Sequence, residues 1–286
     1  MASAAGLLSA ARWWLVEHPV VASFEWDERR TWGASPRFPA AVVAAYLSLT
    51  FLLRGLLFTP QLGPPATLRR VLWVVSPIHS GFLLLLSLVM ATGCCLAAAA
   101  QMPSPSWIFC FPRGTIQPRG PVFFWAYVFY LSKVYELVDT LLILLAADRR
   151  RLSFLHVYHH AVVVGLCYLW LSARQSLLPV GLVTNASVHV IMYAYYLCSS
   201  VGLRWPPQWK RAVTNCQIVQ FWFSFAVSLV FLWLHFFGTG GKGCSGSREW
   251  LLNAAFNASL LTLFQNFHKA NYSSSRSFSA KATKAQ

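Results

Sequence analysis

The sequence predicts an all-α membrane protein with seven transmembrane helices. Of its 286 residues, 57% are hydrophobic and only 11% are charged, whereas a soluble domain carries about 25% charged residues. Apolar runs of about 20 residues, the length that crosses a bilayer, alternate with short polar links. The formal net charge is +15, but the Lys and Arg residues lie in small groups within the links. That pattern is typical of membrane topology signals and headgroup contacts, and it argues against nucleic-acid binding.

The chain divides into an N-terminal segment, 1–37, a membrane domain, 38–270, and a tail, 271–286. The N-terminal segment mixes Trp, acidic and basic residues and has no signal-peptide cleavage site, so we expect an uncleaved interfacial segment. The Ser- and Lys-rich tail is expected to be disordered. Seven spans are predicted at 38–58, 74–100, 122–147, 156–173, 177–199, 212–237 and 250–268.

The links between the spans predict the orientation, since cytoplasmic loops carry an excess of Lys and Arg. Links after spans one, three and five hold eight such residues, and the other three links hold five. The basic tail adds to the richer side, so we expect a cytosolic C-terminus and a lumenal N-terminus. The eight residues are Arg69, Arg70, Arg149, Arg150, Arg151, Arg204, Lys210 and Arg211.

Two of the seven cysteines, Cys110 and Cys244, lie in the links after spans two and six. Both links are assigned to the lumen, which is oxidising, so a disulfide between them is predicted. Two free thiols are the alternative. The other five cysteines lie within spans, where small apolar filler is the usual role.

A histidine cluster, His156, His159 and His160, opens the fourth span. Positions i, i+3 and i+4 share one helix face, so three imidazoles are expected to point the same way. Ionisable groups within the membrane are functional candidates by default. A purely packing or hydrogen-bonding role is the alternative.

Polar residues also recur in the third, fifth and sixth spans. The third carries charges three residues apart, which need a polar interior and partners; an ion-pair network that only joins helices is the alternative. In the sixth span, interhelical hydrogen bonding is as good an explanation as ligand binding. With a rise of about 1.5 Å per residue, all these groups fall at a similar depth in the cytosolic half. We therefore expect one polar chamber that opens on the Arg-rich side. Its side chains are Lys133, Glu136 and Asp139, then Asn185, His189, Met192, Tyr193 and Tyr196, then Thr214, Gln217 and Gln220.

These four stretches resemble the motifs of the very-long-chain fatty acid elongase (ELO, or ELOVL) family. The motifs are KVYELVDT at 133–140, HVYHH at 156–160, NASVHVIMYAYY at 185–196 and TNCQIVQ at 214–220. All four are complete and in family order over about residues 38–270, and the composition suggests a plant ELO-like branch. HxxHH alone is weak, because membrane desaturases share it.

The resemblance implies condensation of a long-chain acyl-CoA with malonyl-CoA to a 3-ketoacyl-CoA, with release of CO2 and CoA. It also implies a fold in which spans two to seven form a barrel around an acyl tunnel, possible homodimers and residence in the endoplasmic reticulum. No bound cofactor or metal is expected. The chain has no nucleotide-binding glycine motif, so a 3-ketoacyl-CoA reductase, a 3-hydroxyacyl-CoA dehydratase and an enoyl-CoA reductase would be partner enzymes. The tail supports this location only weakly, since Lys284 lacks the second Lys of a dilysine signal.

The resemblance also implies residue roles. His159 would accept the acyl group, because an imidazole can attack a thioester and split the condensation into two displacements. His189 would hold the reacting carbonyl or the malonyl unit. The remaining assignments are proton shuttling by His156 and His160, tautomer fixing by Glu136 and Asp139, oxygen binding by Lys133, Asn185, Gln217 and Gln220, and substrate contacts by Met192, Tyr193 and Tyr196.

The basic residues Arg149, Arg150, Arg151, Lys210 and Arg211 are placed to bind CoA phosphates, or to act only as topology signals. The closed end of the tunnel is expected at Phe231, Trp233, Phe236 and Phe237. Two other functions stay open. One is a non-catalytic membrane regulator of lipid metabolism with this fold. The other is a di-iron desaturase or hydroxylase, which would need roughly eight clustered histidines, whereas His18, His79, His235 and His268 stand apart.

Overall fold

The computed structural model describes residues 4–58, 64–203 and 205–272. These ranges are helical throughout, with isolated β-bridges and no β-strand, so the predicted all-α class is confirmed. Arg204 and the predicted tail beyond Tyr272 lie outside the described residues. The helices are α1 (Ala4–Arg12), α2 (Pro19–Ala22), α3 (Arg37–Leu57), α4 (Ala66–Gln101), α5 (Pro121–Tyr135), α6 (Leu137–Leu145), α7 (Phe154–Ser172), α8 (Leu178–Ser200), α9 (Pro207–Trp233) and α10 (Ser247–Tyr272).

Five helices in the described ranges are long and apolar enough to cross a membrane. They are α3, α4, α7, α8 and α9, the last continued by a π-helical turn at Leu234–Gly238. The chain is therefore a membrane protein. The third predicted span is divided at Glu136 into α5 and α6, of 15 and 9 residues, and α10 carries Asn, Ser and Gln along its length. The count of seven spans accordingly remains a prediction.

The N-terminal segment packs on α4 and α5. It holds α1, a π-helical turn at Trp13–Glu17 and α2, none of which is among the five long apolar helices. The indole of Trp125 donates to the Leu15 carbonyl (2.8 Å), and the Tyr130 hydroxyl donates to the Gly33 carbonyl (3.1 Å). Trp26 is buried in the same contact. The segment is thus part of the fold.

The long helices contact one another in a closed order. The contacts run from α4 to α5, α7, α10, α9 and α8, and α8 packs along α4. Helix α3 packs on α6 and α7. Where α4 meets α5, Gly93 lies against the Trp125 ring, and a Cβ there would clash with the indole. The main core fills this region with Met90, Phe123, Tyr130, Leu171 and Leu182.

A disulfide joins Cys110 to Cys244, the pair that the sequence predicts, with Cα atoms 5.2 Å apart. It ties the link after α4 to the link after α9. Ser176, in the link after α7, accepts from the Phe111 amide (3.0 Å) and donates to the Ser245 carbonyl (2.9 Å). Three links therefore meet at one end of the helices.

Candidate active site

A cavity of about 950 Å³ lies among α4, α6, α7, α8, α9 and α10, a size typical of ligand sites. Its lining runs from Arg69, Arg150 and Lys210 at one end to Trp170 and Gln175 at the other. All four motif stretches contribute side chains to it. Polar groups that are far apart in the chain therefore surround one space.

Lys133 is the most deeply buried cation of the site, with 1% of its surface exposed. Its ammonium donates to both Glu136 oxygens (2.8 and 3.2 Å) and to Asn185 Oδ1 (3.0 Å), and lies 3.4 Å from His189 Nδ1. It also sits 4.4 Å from the centre of the Phe129 ring. These contacts use all three donors of an ammonium. Lys133 is not in the cavity lining. It joins α5 to α8, and its implied contact with a substrate oxygen stays a prediction.

The two carboxylates of the site face different partners. Asp139 Oδ1 lies 3.1 Å from His79 Nε2, and Asp139 Oδ2 accepts from the Tyr193 hydroxyl at 2.7 Å. Glu136 Oε1 lies 3.5 Å from His189 Nδ1. The implied role of both carboxylates was to fix imidazole tautomers. In the structure the imidazoles that they contact are His79 and His189. Within the described ranges, neither carboxylate is hydrogen-bonded to the histidine cluster of α7.

His156 is held by a hydroxyl chain. Its Nε2 lies 2.9 Å from Thr140 Oγ1, and Thr140 Oγ1 lies 3.0 Å from the Tyr46 hydroxyl. Both hydroxyl groups are buried. Helix α7 begins here because the Ser153 hydroxyl caps it and accepts from the His156 amide (3.2 Å). Residues from α3 and α6 thus orient the first histidine of the cluster.

His159 and His160 are placed differently from His156, although all three line the cavity. The Nδ1 atoms of His159 and His160 are buried and have no hydrogen-bond partner among residues 4–58, 64–203 and 205–272. The His159 ring lies nearly parallel to Phe256, at a centroid distance of 6.1 Å. The His160 ring is 4.4 Å from that of His156 and 5.4 Å from that of His159. Three imidazoles are therefore in contact, and one of them is fixed by neighbouring helices.

The residues assigned to substrate contacts from α8 and α9 lie at the cavity wall. Gln217 on α9 donates to the Met192 sulfur on α8 at 3.5 Å. The lining includes Asn185, His189, Met192, Tyr193, Tyr196, Thr214, Gln217 and Gln220. The structure brings these residues together as predicted. Their contacts with a substrate remain predictions.

The basic residues separate into two groups. Arg149 and Arg211 are not in the lining: Arg149 donates to the Phe58 carbonyl and stacks on the Phe58 ring, and Arg211 is exposed. Arg69 of α4 joins the lining without having been predicted. Of the five basic residues predicted to bind CoA phosphates, three line the cavity: Arg150, Arg151 and Lys210.

The expected closed end was wrong. Phe231 is fully buried against Trp250 beside the disulfide, while Trp233, Phe236 and Phe237 are 60%, 66% and 76% exposed. None of these four side chains lines the cavity, because Phe231 packs beside the disulfide and the other three lie on the outer face of the helix. The cavity instead ends at Trp170, Gln175, Leu177, Val180 and Gly181.

His79 and Tyr46 were missed from the sequence. For His79 a signal existed, since Ser76, His79 and Ser80 form a polar stripe on one face of an apolar helix. Tyr46 has no such companions on α3, and its contact with Thr140 could not be read from spacing. No group of three His, Cys, Asp or Glu side chains in the described part of the chain is arranged to hold a metal ion.

Comparisons with known proteins show the family. Residues 31–280 match the family model described as ELO: GNS1/SUR4 family. The chain is 28% identical to "Fatty acid elongase 3-like" of Arabidopsis thaliana over 283 residues, which cover 94% of each chain. It is 31% identical to "Fatty acid elongase A" of Dictyostelium discoideum, over 90% of this chain and 91% of the relative. It is 40% identical to the human "Very long chain fatty acid elongase 6" over 120 residues, 41% of this chain and 44% of the relative.

Proposed function

The chain belongs to the ELO, or GNS1/SUR4, family, and from this membership we propose that it is a very-long-chain 3-oxoacyl-CoA synthase. It would condense a long-chain acyl-CoA with malonyl-CoA. The observation that carries the proposal is that His156, His159 and His160 of α7 and His189 of α8 line the same cavity. That cavity has basic residues at one end and apolar residues toward the other. The first suits CoA phosphates, and the second suits an acyl chain.

The reaction follows two displacements. A His159 ring nitrogen attacks the thioester carbonyl, a C–N bond forms, and the C–S bond breaks to release CoA. Malonyl-CoA then loses CO2, and the resulting enolate carbon attacks the acyl carbonyl. The C–N bond breaks, and the 3-ketoacyl-CoA leaves with two more carbons. The imidazole proton passes to the departing CoA thiolate in the first displacement, and the freed imidazole takes a proton from solvent in the second. Atoms and electrons therefore balance without a redox partner.

His159 is favoured as the nucleophile because its ring is the least committed. His156 Nε2 is bonded to Thr140, and His160 is only 7% exposed. No hydrogen bond to the His159 ring is formed within the described ranges, and the residue is partly exposed. His156 would therefore serve as an oriented proton carrier beside it.

Substrate polar groups would be bound from three directions. Arg69, Arg150, Arg151 and Lys210 line the cavity end suited to CoA phosphates, where guanidinium groups give strong charge-assisted contacts. His189, Asn185, Gln217 and Gln220 are available to the malonyl unit and its enolate oxygen. Acyl-CoA and malonyl-CoA are thus the proposed ligands, with no bound cofactor.

The proposed setting follows the family. Seven spans would place α4 to α10 as a barrel around the tunnel, which the closed order of helix contacts supports. The basic end would face the cytosol, and the disulfide end would face the lumen of the endoplasmic reticulum. The reductases and dehydratase of the elongation cycle would then act on the product. A second copy of the chain is a possible further partner.

Intact mass of the purified protein after incubation with a long-chain acyl-CoA alone tests the proposal. We expect an acyl adduct on the wild type and on His268→Ala, whose imidazole is outside the cavity lining. The adduct should be absent from His159→Ala. An adduct on all three proteins would mean that a residue other than His159 is the nucleophile. No adduct on any of them, together with no incorporation of labelled malonyl-CoA, would favour the non-catalytic regulator.

A further inference from the structure

His79 lies on α4 and contacts two polar partners inside the cavity wall. It is 3% exposed and lines the cavity. Its Nε2 lies 3.1 Å from Asp139 Oδ1, and its Nδ1 lies 3.3 Å from the Tyr135 hydroxyl. Both ring nitrogens are therefore engaged. His79 therefore holds Asp139 and Tyr135 in place and has no free ring nitrogen with which to react.

Asp139 depends on this contact. A carboxylate away from water is stable only when its oxygens accept hydrogen bonds or meet a cation. Lys133 is already paired with Glu136 at 2.8 Å. His79 is the only basic side chain within ion-pair distance of Asp139 in the part of the chain that the structure describes.

The contact extends to the reacting face of α8. Asp139 Oδ2 accepts from the Tyr193 hydroxyl at 2.7 Å, and the Tyr193 ring meets the His189 ring edge-on with centroids 5.6 Å apart. One oxygen of the Asp139 carboxylate is thus held by His79 of α4. The other oxygen holds Tyr193 of α8. Movement of Asp139 would shift Tyr193 and, with it, the imidazole of His189.

We propose that His79 is a positioning residue for the condensation, which holds Asp139 so that Tyr193 and His189 keep their places in the chamber. The inference rests on the proposed function, since it assigns His189 a substrate contact. A misplacement of about 1 Å in a catalytic group can lower the rate about 100-fold. Loss of the His79 contact should therefore lower kcat more than it alters KM.

A pair of amide variants separates the two contacts of His79. The Nε2 of a glutamine at this position lies near the imidazole Nε2 and can still donate to Asp139. The Nδ2 of an asparagine lies near the imidazole Nδ1 and reaches only toward Tyr135. We expect His79→Gln to keep kcat within about 3-fold of wild type and His79→Asn to lower it about 10-fold or more, with the KM for acyl-CoA unchanged.

His235→Leu is the matched control for loss of a structural imidazole. His235 Nδ1 accepts from the Cys244 amide at 2.9 Å, remote from the cavity lining. It should lower the melting temperature without changing kcat per folded molecule. Equal kcat values for His79→Gln and His79→Asn, whether both normal or both low, would overturn the inference and leave the elongase proposal intact. A wild-type protein that forms no 3-ketoacyl-CoA would overturn both.

Discussion

Single hydrogen bonds distinguish the otherwise similar histidines of α7. Their spacing gives His156 and His159 equivalent places on one helix face, so the sequence does not separate them. The structure does, because Thr140 of another helix bonds only the first of them, and the Tyr46 hydroxyl in turn bonds Thr140. A hydroxyl partner on Nε2 holds the imidazole ring in one orientation and, because a hydroxyl both donates and accepts, can serve either tautomer. The direction of a side chain is set by packing across helices, which periodicity does not report.

Thr140→Val tests this orientation with almost no change in shape. We expect kcat for the condensation to fall about 10- to 100-fold, because His156 loses the hydrogen bond that orients its imidazole for proton transfer. Thr140→Ser should retain most of the activity. The assay is incorporation of labelled malonyl-CoA per folded molecule. Thr262→Val is the matched control, since the Thr262 hydroxyl is exposed on α10 and bonds only to the Ala258 carbonyl of its own helix (2.9 Å). An unchanged kcat in Thr140→Val would rule out this role for the hydroxyl.

At the scale of elements, apolar runs predict helices well but their ends less well. The first span was expected at 38–58 and is found at Arg37–Leu57. The second was expected at 74–100, but α4 begins at Ala66, because backbone hydrogen bonding continues through polar residues such as Arg69 and Arg70. A hydropathy pattern indicates which residues contact lipid, and a helix can extend past those residues at either end. The same limit hides the break at Glu136, where the residues on both sides are apolar.

The break between α5 and α6 is stabilised by the pair of Lys133 and Glu136. Glu136→Gln would leave a buried ammonium without its counter-charge, and breaking such a pair costs about 3–5 kcal/mol. We expect a clear fall in the free energy of unfolding, measured by denaturation in detergent micelles.

Glu17→Gln provides the comparison for that variant. It breaks an ion pair of similar length, 2.7 Å to Arg12 against 2.8 Å for Lys133 and Glu136, at the surface, where Arg12 and Glu17 are 64% and 48% exposed. An exposed pair contributes about 0–1 kcal/mol, so this variant should unfold almost like wild type. If Glu136→Gln were equally mild, the pair would not be what stabilises the break between α5 and α6.

The whole molecule has two unlike ends, and the cavity connects them. Links at one end are joined by the disulfide and by the bonds of Ser176, whereas the basic lining gathers at the other. The sequence predicts this polarity from charge and cysteine placement, and it predicts that four motifs share one chamber. It does not predict where the chamber ends. That position depends on which side chains of the surrounding helices point into the chamber at the same depth.

If the cavity holds the proposed acyl chain, we expect its closed end to set the chain length and Gly181 to be one residue that controls it. A Cβ at Gly181 would lie 2.8 Å from Cη2 of Trp170, closer than atoms can approach, so the indole must shift. Trp170 lies about 16 Å along α7 from His159, and both residues line the cavity. Gly181→Ala should therefore shorten the longest product, and Trp170→Ala should lengthen it, as read by gas chromatography of the acyl chains. Gly165→Ala is the matched control, because a Cβ at Gly165 meets nothing within 4 Å. Its product profile should equal that of wild type, and an unchanged profile in the other two variants would mean that the chain ends elsewhere.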